Sequence, residues 1–299
     1  VGGGIPIIDA ITNSLMSNEF NSVMGILNGT TNFILTQMAE YGKSYDEVLK
    51  VAQEKGFAEA DPTADVEGID VANKLAILIS LIFGIEMDPM DIPRTGITGV
   101  DAEDIAYAAE SGYKIKLLAT ANSDGKEMTC SVIPSLVPDG HPLAGVGNEF
   151  NAVHITANAA DDLMFYGKGA GPLPTGSAVM GDIISIARAI DKDAAYDMLP
   201  PLRYDSDACF AGEGRCKYYL RMIAPDRPGI MGHVTTELGG YGISIESMLQ
   251  RGTRHENKNG AASIIFIVHE CEKSVLDKAL KNLVDKNYVD SVDSIFKVL

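Results

Sequence analysis

Apolar and polar residues alternate with two different periods along this chain, and the changes of period divide it into helices and strands. Apolar residues at every third or fourth position predict helices, and apolar residues at every second position predict half-buried strands. The helical pattern is clearest over residues 69–83, where a long apolar helix is predicted to end at Gly84.

The first two thirds of the chain combine such helices with paired strands. Helices are predicted over residues 5–20, 31–41, 44–54, 69–83, 101–109 and 177–190. Strands are predicted over residues 21–29, 114–122, 127–134, 151–158 and 162–166. Ser44 and Glu47 form a capping-box pattern, and a turn at residues 123–125 indicates a hairpin. We therefore expect an α+β fold, with helices packed on a mostly antiparallel or mixed sheet.

A change of composition over residues 192–216, which includes Pro200-Pro201, predicts a domain boundary. We place the two domains at residues 1–212 and 213–299. Beyond the boundary the predicted order is strand, helix, strand, strand, helix, strand, over residues 217–224, 229–239, 243–250, 261–269, 274–286 and 292–299. This order is the βαββαβ unit of ferredoxin-like folds.

Length and charge then limit the classes of function. A chain of 299 residues is long enough for two domains with a substantial core. The net charge of −17 argues against a nucleic-acid partner and against an anionic membrane surface. The longest apolar run, residues 75–83, is far shorter than the ~20 residues of a membrane span, and no secretion leader is visible.

The cysteines and histidines indicate neither a CxxC site nor a nucleophile paired with a base. The four cysteines form no CxxC pair, so we expect free thiols in a reducing cytoplasm. The five histidines are scattered, and none accompanies a serine or cysteine in a pattern that indicates a nucleophile with its base.

The most informative stretch is residues 56–74, where five acidic side chains within twelve residues precede Lys74. Pro62 and Gly68 indicate a shaped loop. Asp70 and Lys74 are four residues apart and so share one helix face. A lysine held among carboxylates at the start of an apolar helix is a plausible proton-transfer site.

Two other interpretations fit the same residues. An aspartate four residues before a lysine is an ordinary surface pair, and on composition alone that interpretation is favoured. Clustered carboxylates also suit a hard cation, although the stretch lacks the loop spacing of a calcium hand.

The stretch resembles the substrate site of homoserine dehydrogenases, which has the form G-[YF]-x-E-x-D-P-x-x-D-x-x-G-x-D-x-x-x-K. Every fixed position of that pattern is present over residues 56–74. Three further segments resemble the same family: residues 1–7 (VGGGIPI), residues 25–35 (GILNGTTNFIL) and the glycine segment from Gly167 through Asp182. Together the resemblance covers about residues 1–190.

This resemblance implies that L-homoserine and L-aspartate 4-semialdehyde are interconverted with NADP or NAD. It assigns Lys74 as the acid–base group at the substrate oxygen. Glu59 and Asp70 would anchor the substrate amino group, and Asp65 would support Lys74.

The resemblance also implies sites for a cofactor and a cation. Gly56, Gly169 and Gly171 would approach the cofactor through their backbones. The backbone carbonyls of Val1, Gly3 and Ile5 would match part of a sodium site.

The chain contains no G-x-G-x-x-G unit after a predicted strand, the usual sign of a dinucleotide-binding domain. Family members carry such a domain ahead of the segment that resembles residues 1–7. We therefore expect the chain by itself to fold, to form a homodimer or homotetramer, and to be catalytically silent or nearly so.

The C-terminal βαββαβ order, with the run DRPGI at its first strand-to-helix turn, resembles an ACT domain. By that resemblance Asp226, Gly229 and Ile243 would line a pocket for an amino-acid effector, and L-threonine is the usual effector in this family. A glycine at a helix start permits close backbone approach to a carboxylate, although Pro-Gly also simply caps helices. The alternative function is a stand-alone amino-acid sensor whose first domain serves as a dimerisation scaffold.

Overall fold

The computed structural model describes residues 1–191, 207–251 and 261–299 of the chain. In chain order the helices are α1 Ile7–Asp9, α2 Gly29–Tyr41, α3 Tyr45–Glu54, α4 Thr63–Val66, α5 Ile69–Phe83, α6 Ala102–Glu110, α7 Pro172–Asp191, α8 Ile230–Gly240 and α9 Lys273–Asp285. The strands are β1 Phe20–Ile26, β2 Tyr113–Ser123, β3 Glu127–Pro138, β4 Phe150–Ala157, β5 Asp161–Lys168, β6 Cys209–Phe210, β7 Arg215–Pro225, β8 Ile245–Arg251, β9 Ala261–Glu272 and β10 Ser291–Val298.

The described strands form one sheet in the order β5-β4-β1-β2-β3-β10-β7-β9-β8, with β6 beside β3. Neighbours pair antiparallel, except for the parallel pairs β3–β10 and β3–β6. The predicted α+β class with a mostly antiparallel sheet is therefore confirmed, and so is the C-terminal order of strands and helices.

Local signals located several helix ends correctly. Helix α2 ends at Gly42, which adopts the left-handed conformation at φ 63°. Helix α3 begins with the predicted capping box, in which Ser44 and Glu47 each bond the backbone of the other. Helix α5 spans residues 69–83 as predicted and ends at left-handed Gly84.

The predicted helix over residues 5–20 is confirmed only over residues 7–14, and its ends are wrong. Only α1 and a π-helical turn at Ala10–Ser14 are helical, and β1 begins at Phe20. The side chain of Asn18 accepts a hydrogen bond from the backbone N–H of Ala160, and the side chain of Asn158 accepts one from the N–H of Glu19. These polar contacts tie the segment to the β4–β5 turn and compete with helical hydrogen bonding.

The two predicted domains share the sheet and part of the core. At its last residues β10 pairs in parallel with β3, at Lys297–Ser135 and Val298–Leu136. The main apolar cluster joins residues of the first domain to Tyr219 and Phe296. A second cluster fills the space between α8, α9 and the C-terminal strands. The predicted break at 192–216 lies largely outside the described residues, so the boundary at 212/213 stays a prediction.

A buried carboxylate joins the two halves. Asp104 on α6 is fully buried, and its oxygens accept hydrogen bonds from the Arg221 guanidinium and the Tyr219 hydroxyl, each at 2.7 Å. The hydroxyl of Ser294 on β10 donates to the same carboxylate at 2.7 Å. Burial raises the pKa of the Tyr219 phenol, and the adjacent Asp104 charge raises it further. One side chain of the first domain is thus bonded to two neighbouring strands of the second, β7 and β10.

A second buried charge braces α2. Lys116 on β2 is 4% exposed, and its ammonium donates to the side-chain oxygen of Asn32 and to the carbonyl of Val146. Burial lowers the pKa of Lys116 to about 8, and the nearby Lys114 charge contributes to the lowering.

Two further properties concern the molecule as a whole. The four cysteines are free thiols, of which Cys130 and Cys271 are buried, Cys216 is half-buried and Cys209 is exposed. Within the described ranges, none of the helices is both long and apolar enough to span a bilayer.

We predict that Asp104→Ala lowers the free energy of unfolding by about 3–5 kcal/mol, because it leaves the buried Arg221 without its main partner. Urea unfolding measures the change. Glu103→Ala is the matched control, since Glu103 lies on the same turn but reaches Arg221 only at 3.9 Å, and it is expected to cost less than about 1 kcal/mol. Equal losses in the two variants would contradict the proposed importance of Asp104.

Candidate active site

The sequence-predicted lysine lies in an ion pair at the start of α5. The ammonium of Lys74 donates to Asp70 Oδ2 at 2.6 Å, and both side chains are about a third exposed or less. The same ammonium donates to the carbonyl oxygen of Leu27 at 3.0 Å. Because Leu27 follows β1 directly, the two acceptors hold the lysine against the turn that joins β1 to α2.

Asn28 connects this pair to Asp65. The amide nitrogen of Asn28 donates to Asp65 Oδ1 at 2.7 Å and to Asp70 Oδ2 at 3.0 Å. Its amide oxygen accepts the backbone N–H of Thr31 at 2.9 Å and so caps α2. Asn28 is 6% exposed. One buried amide therefore sets the positions of both carboxylates relative to the start of α2.

Sequence analysis missed Asn28 as a site residue. The signal was present, because an asparagine between a predicted strand and a predicted helix is a favoured cap. Its amide contacts with residues 37 and 42 positions away were not readable from spacing.

Backbone conformation brings Asp65 and Asp70 to one side of the loop. The carboxylate of Asp61 accepts from the backbone and hydroxyl of Thr63 and opens the single-turn helix α4. Between α4 and α5, Gly68 adopts the left-handed conformation at φ 74°, where a side chain would be strained. This turn redirects the chain so that α5 begins with Asp70 facing Asp65.

Two carboxylate oxygens of the cluster remain open to a ligand. Asp65 Oδ2 and Asp70 Oδ1 accept no hydrogen bond from any described residue, whereas the other oxygen of each is bonded. Two carboxylates and one ammonium give the cluster a net negative charge. It is therefore suited to receive a ligand ammonium group beside the ammonium of Lys74.

Glu59 is positioned differently from the other predicted site residues. Its carbonyl accepts from the Gln53 side chain, but its exposed carboxylate has no hydrogen bond or ion pair among the described residues. The structure thus unites Lys74, Asp70 and Asp65, and leaves the Glu59 carboxylate outside their hydrogen-bond network.

The glycine segment of residues 1–7 packs against the glycine segment that begins at Gly167, main chain against main chain. The N–H of Gly4 donates to the carbonyl of Lys168 at 3.0 Å. A Cβ atom built on Gly3 would lie 2.1 Å from the carbonyl oxygen of Gly169, and one built on Gly169 would lie 2.1 Å from the Asn151 amide. Only glycine fits at these two positions.

The other predicted glycines serve as turns. Gly171 has φ 118° at the entry to α7, and Gly56 has φ 74° just after α3. A Cβ atom on Gly56 would meet no atom within 4 Å, so open space surrounds it.

The predicted cation ligands line a cleft of about 680 Å³ between the N-terminal segment and α7. The carbonyls of Val1 and Gly3 accept no hydrogen bond within the described chain, whereas that of Ile5 accepts the N–H of Ile7. Among all the residues that the structure describes, no group of three histidine, cysteine or acidic side chains is placed to hold a metal ion.

In the C-terminal module, Gly229 precedes α8 in the left-handed conformation at φ 89°. Asp226 is exposed and accepts a hydrogen bond from the Gln250 side chain at 3.4 Å. Ile243 is only 3% exposed and belongs to the apolar core. Two of the three predicted effector residues therefore lie at the surface beside the start of α8, and the third is buried just past the end of that helix, where its N–H donates to the Leu238 carbonyl.

Comparison with known proteins agrees with this geometry. The model of the homoserine dehydrogenase family matches residues 6–184, and the ACT domain model matches residues 218–286. A homoserine dehydrogenase of Synechocystis sp. is 40% identical over 308 residues, which covers 100% of this chain and 70% of that protein.

Solved structures agree as well. The crystal structure of a homoserine dehydrogenase from Thiobacillus denitrificans has a TM-score of 0.91 and 36% identity, covering 100% of this chain and 68% of that one. A hyperthermophilic archaeal homoserine dehydrogenase in complex with NADPH has a TM-score of 0.54 and 30% identity, covering 67% of this chain and 55% of that one. Homoserine dehydrogenases use NAD(P).

The family model covers more than half of the chain, and the relatives match it throughout. The stand-alone sensor is therefore not favoured. This chain belongs to the homoserine dehydrogenase family and carries the family's catalytic domain together with an ACT domain.

Proposed function

We propose that Lys74 is the acid–base residue that interconverts L-homoserine and L-aspartate 4-semialdehyde in this protein. The observation that supports it is the placement of the Lys74 ammonium between Asp70 and the Leu27 carbonyl, beside two open carboxylate oxygens. The cofactor, NADP or NAD, supplies or accepts the hydride at the substrate carbon. The residues of this chain bind the amino acid and move the proton.

In the direction of reduction, Lys74 donates a proton to the aldehyde oxygen as it becomes an alcohol. In the direction of oxidation, the neutral lysine accepts that proton. The Asp70 carboxylate and the Leu27 carbonyl fix the Nζ atom, so the proton is presented in one direction.

The open oxygens of Asp65 and Asp70 are suited to bind the substrate ammonium group. This differs from the expected roles, in which Asp65 supported Lys74 and Glu59 shared the anchoring with Asp70. In the structure Asp65 contacts Asn28 rather than Lys74. The exposed Glu59 carboxylate has no partner among the described side chains, so it is free to add an acceptor from the loop.

The glycine contacts support the predicted approach of the cofactor through backbone groups. Gly171 is exposed at the entry to α7, so its main chain is accessible, whereas Gly169 packs against the Asn151 amide and is closed on its Cβ side. Gly56 is open on its Cβ side. The free carbonyls of Val1 and Gly3 are hard oxygen donors of the kind a sodium ion prefers, so they suit part of a cation site.

We also propose that the protein self-associates and works in the cytoplasm. Exposed apolar side chains on α7, among them Leu173, Ile183 and Ile190, support self-association as a homodimer or homotetramer. The four free cysteines support a reducing compartment.

Lys74→Ala is expected to lower kcat for homoserine oxidation by about 10²–10⁴-fold, because general acid–base catalysis contributes that much. L-Homoserine-dependent reduction of NADP⁺ measures it, with the chain alone and with the chain joined to the dinucleotide-binding domain of a family member. Lys50→Ala on the exposed face of α3 is the control and should retain full activity. A loss well below 100-fold would argue against the acid–base role. Substantial turnover by the chain alone would contradict the expectation that it is silent.

Asn28→Asp tests the amide bridge. The new carboxylate still accepts the Thr31 N–H, so the α2 cap persists, but the donor to Asp65 and Asp70 is replaced by a third negative charge. We expect kcat/KM to fall roughly 10- to 100-fold, and the thermal midpoint to fall as well, because the new charge is buried beside two carboxylates. Asn122→Asp on the exposed face of β2 is the control. An unchanged kcat/KM would show that the bridge does not position the carboxylates.

For the ACT domain, we propose that an amino acid, with L-threonine as the leading candidate, binds at the start of α8. Calorimetry with L-threonine should give saturable heat that Gly229→Leu abolishes, because a side chain there blocks the backbone and strains a φ of 89°. Gly232→Ala, which has open space around its Cβ, is the control. A flat trace for the parent protein would leave the module a purely structural role.

A further inference from the structure

A second cleft, of about 500 Å³, opens on the opposite side of α4 from the Lys74 cluster. One wall is the loop of residues 94–99, and the other carries Thr63 and Glu67. Thr63 and Glu67 are four residues apart and share one face of the helical turn. Asp65, on the other face, contacts Asn28. The cleft is therefore distinct from the site assigned to catalysis.

One end of the cleft is positively charged and rich in hydrogen-bond donors. The guanidinium of Arg94 has no hydrogen bond or ion pair with any residue that the structure describes. Its backbone is held firmly, because the N–H of Thr95 donates to the carbonyl of Val132 and the N–H of Val132 donates to that of Pro93. Arginine in such a position binds carboxylates through a rigid fork of N–H groups.

The loop adds backbone donors to this end. The N–H groups of Gly96, Thr98 and Gly99 make no hydrogen bond within the described parts of the chain, whereas the N–H of Ile97 between them donates to the carbonyl of Val66. Unpaired backbone N–H groups beside a free guanidinium form an anion-binding concavity.

The cleft also carries a carboxylate, that of Glu67, which lies against the loop itself, since a Cβ atom on Gly96 would lie 2.9 Å from its Oε2 atom. Glu67 Oε1 accepts a hydrogen bond from the Thr98 hydroxyl at 3.0 Å, and Oε2 accepts none from the described residues. Glu67 and Arg94 lie further apart than an ion pair, since no N–O distance between them is within 4.0 Å. The positive charge of Arg94 and the negative charge of Glu67 therefore line one cleft without forming an ion pair with each other.

The loop also touches the ACT domain. On its other side lies a smaller cavity of about 230 Å³, which shares Thr95, Gly96 and Gly99 with the first cleft and is bounded by β10. A Cβ atom on Gly96 would lie 2.3 Å from the Val66 carbonyl, so the loop is packed tightly against α4. A ligand at the loop would therefore contact a segment joined to both domains.

We propose that this cleft binds a free α-amino acid, with its carboxylate on Arg94 and the loop N–H groups and its ammonium on Glu67. The cleft is lined by one unpaired guanidinium and by one carboxylate whose Oε2 has no donor among the described residues, so a ligand that carries both a carboxylate and an ammonium group can pair with both, and an anion or a cation alone cannot. Because Glu67 and Asp65 belong to one helical turn, the ligand bears on the position of Asp65. This is a site additional to the substrate cluster and to the start of α8.

Calorimetry in the absence of cofactor tests the proposal independently of turnover. The probes are L-homoserine and the twenty protein amino acids, with the N-acetyl and amide derivatives of whichever binds. For at least one probe we expect a saturable binding event, beyond any at the substrate cluster or at the start of α8, that Arg94→Gln and Glu67→Gln each weaken about 10- to 100-fold. The derivatives, which each lack one charge, should bind correspondingly weakly. Arg188→Gln on exposed α7 is the matched control and should leave the affinity unchanged.

The event must also persist when the other two sites are removed. We expect it to remain in an Asp70→Asn, Gly229→Leu double variant, which removes a carboxylate assigned to the substrate ammonium and blocks the start of α8, and circular dichroism confirms that each variant is folded. Heat that survives Arg94→Gln and Glu67→Gln but disappears in the double variant would overturn the proposal and place the ligand at one of the other sites. The absence of saturable heat from every probe would overturn it as well, while homoserine oxidation by the complete protein would remain a separate result.

Discussion

The buried carboxylate of Asp104 is the constraint on which the arrangement of the two domains depends. It is fully buried and accepts hydrogen bonds from Arg221 and Tyr219 on β7 and from Ser294 on β10. A buried charge is tolerated only where its partners are complete. Any displacement of β7 or β10 relative to α6 would therefore expose or strand a charge, so the ACT strands and the first-domain helix are held in a single arrangement.

The same arrangement accounts for the continuous sheet. With α6 fixed against β7, the C-terminal end of β10 lies beside β3 and pairs with it in parallel at two positions. Upstream of that short pairing the two strands leave room for the loop of residues 94–99, whose backbone bonds β3 instead of β10. The separation between β3 and β10 is thus occupied by a loop that also contacts the turn carrying Asp65 and Glu67.

Sequence reasoning succeeded where the signal was local. The Ser44–Glu47 capping box and the Asp70–Lys74 pair were read from spacings of three and four residues, and both exist as predicted. It failed where a distant contact decided the outcome. The apolar spacing of residues 5–20 is compatible with a helix, but the contact of Asn18 with Ala160 stops it. The pairing of β10 with β3 leaves no comparable trace in the sequence.

The candidate active site shows both cases within one cluster. Lys74 and Asp70 were identified because they share a helix face, and Asp65 because it belongs to a recognisable run. Asn28 contributes the donor that joins the two carboxylates, but an amide that caps a helix looks the same in a sequence whether or not its nitrogen has a partner. The reverse holds for Glu59, whose place in the run predicted a shared site although its carboxylate stands apart.

The short helix α4 is where local and distant constraints meet. Its two faces carry Asp65 toward Asn28 and Glu67 toward Thr98, and left-handed Gly68 closes the turn before α5. A single turn has no internal slack, because its few hydrogen bonds are shared by every residue in it. Asp65 and Glu67 are two residues apart on that turn, so a displacement of its backbone moves both carboxylates. The turn is held from two sides, because Asn28 bonds Asp65 and the N–H of Ile97 donates to the Val66 carbonyl. The loop of residues 94–99 and the start of α2 therefore fix the same short helix.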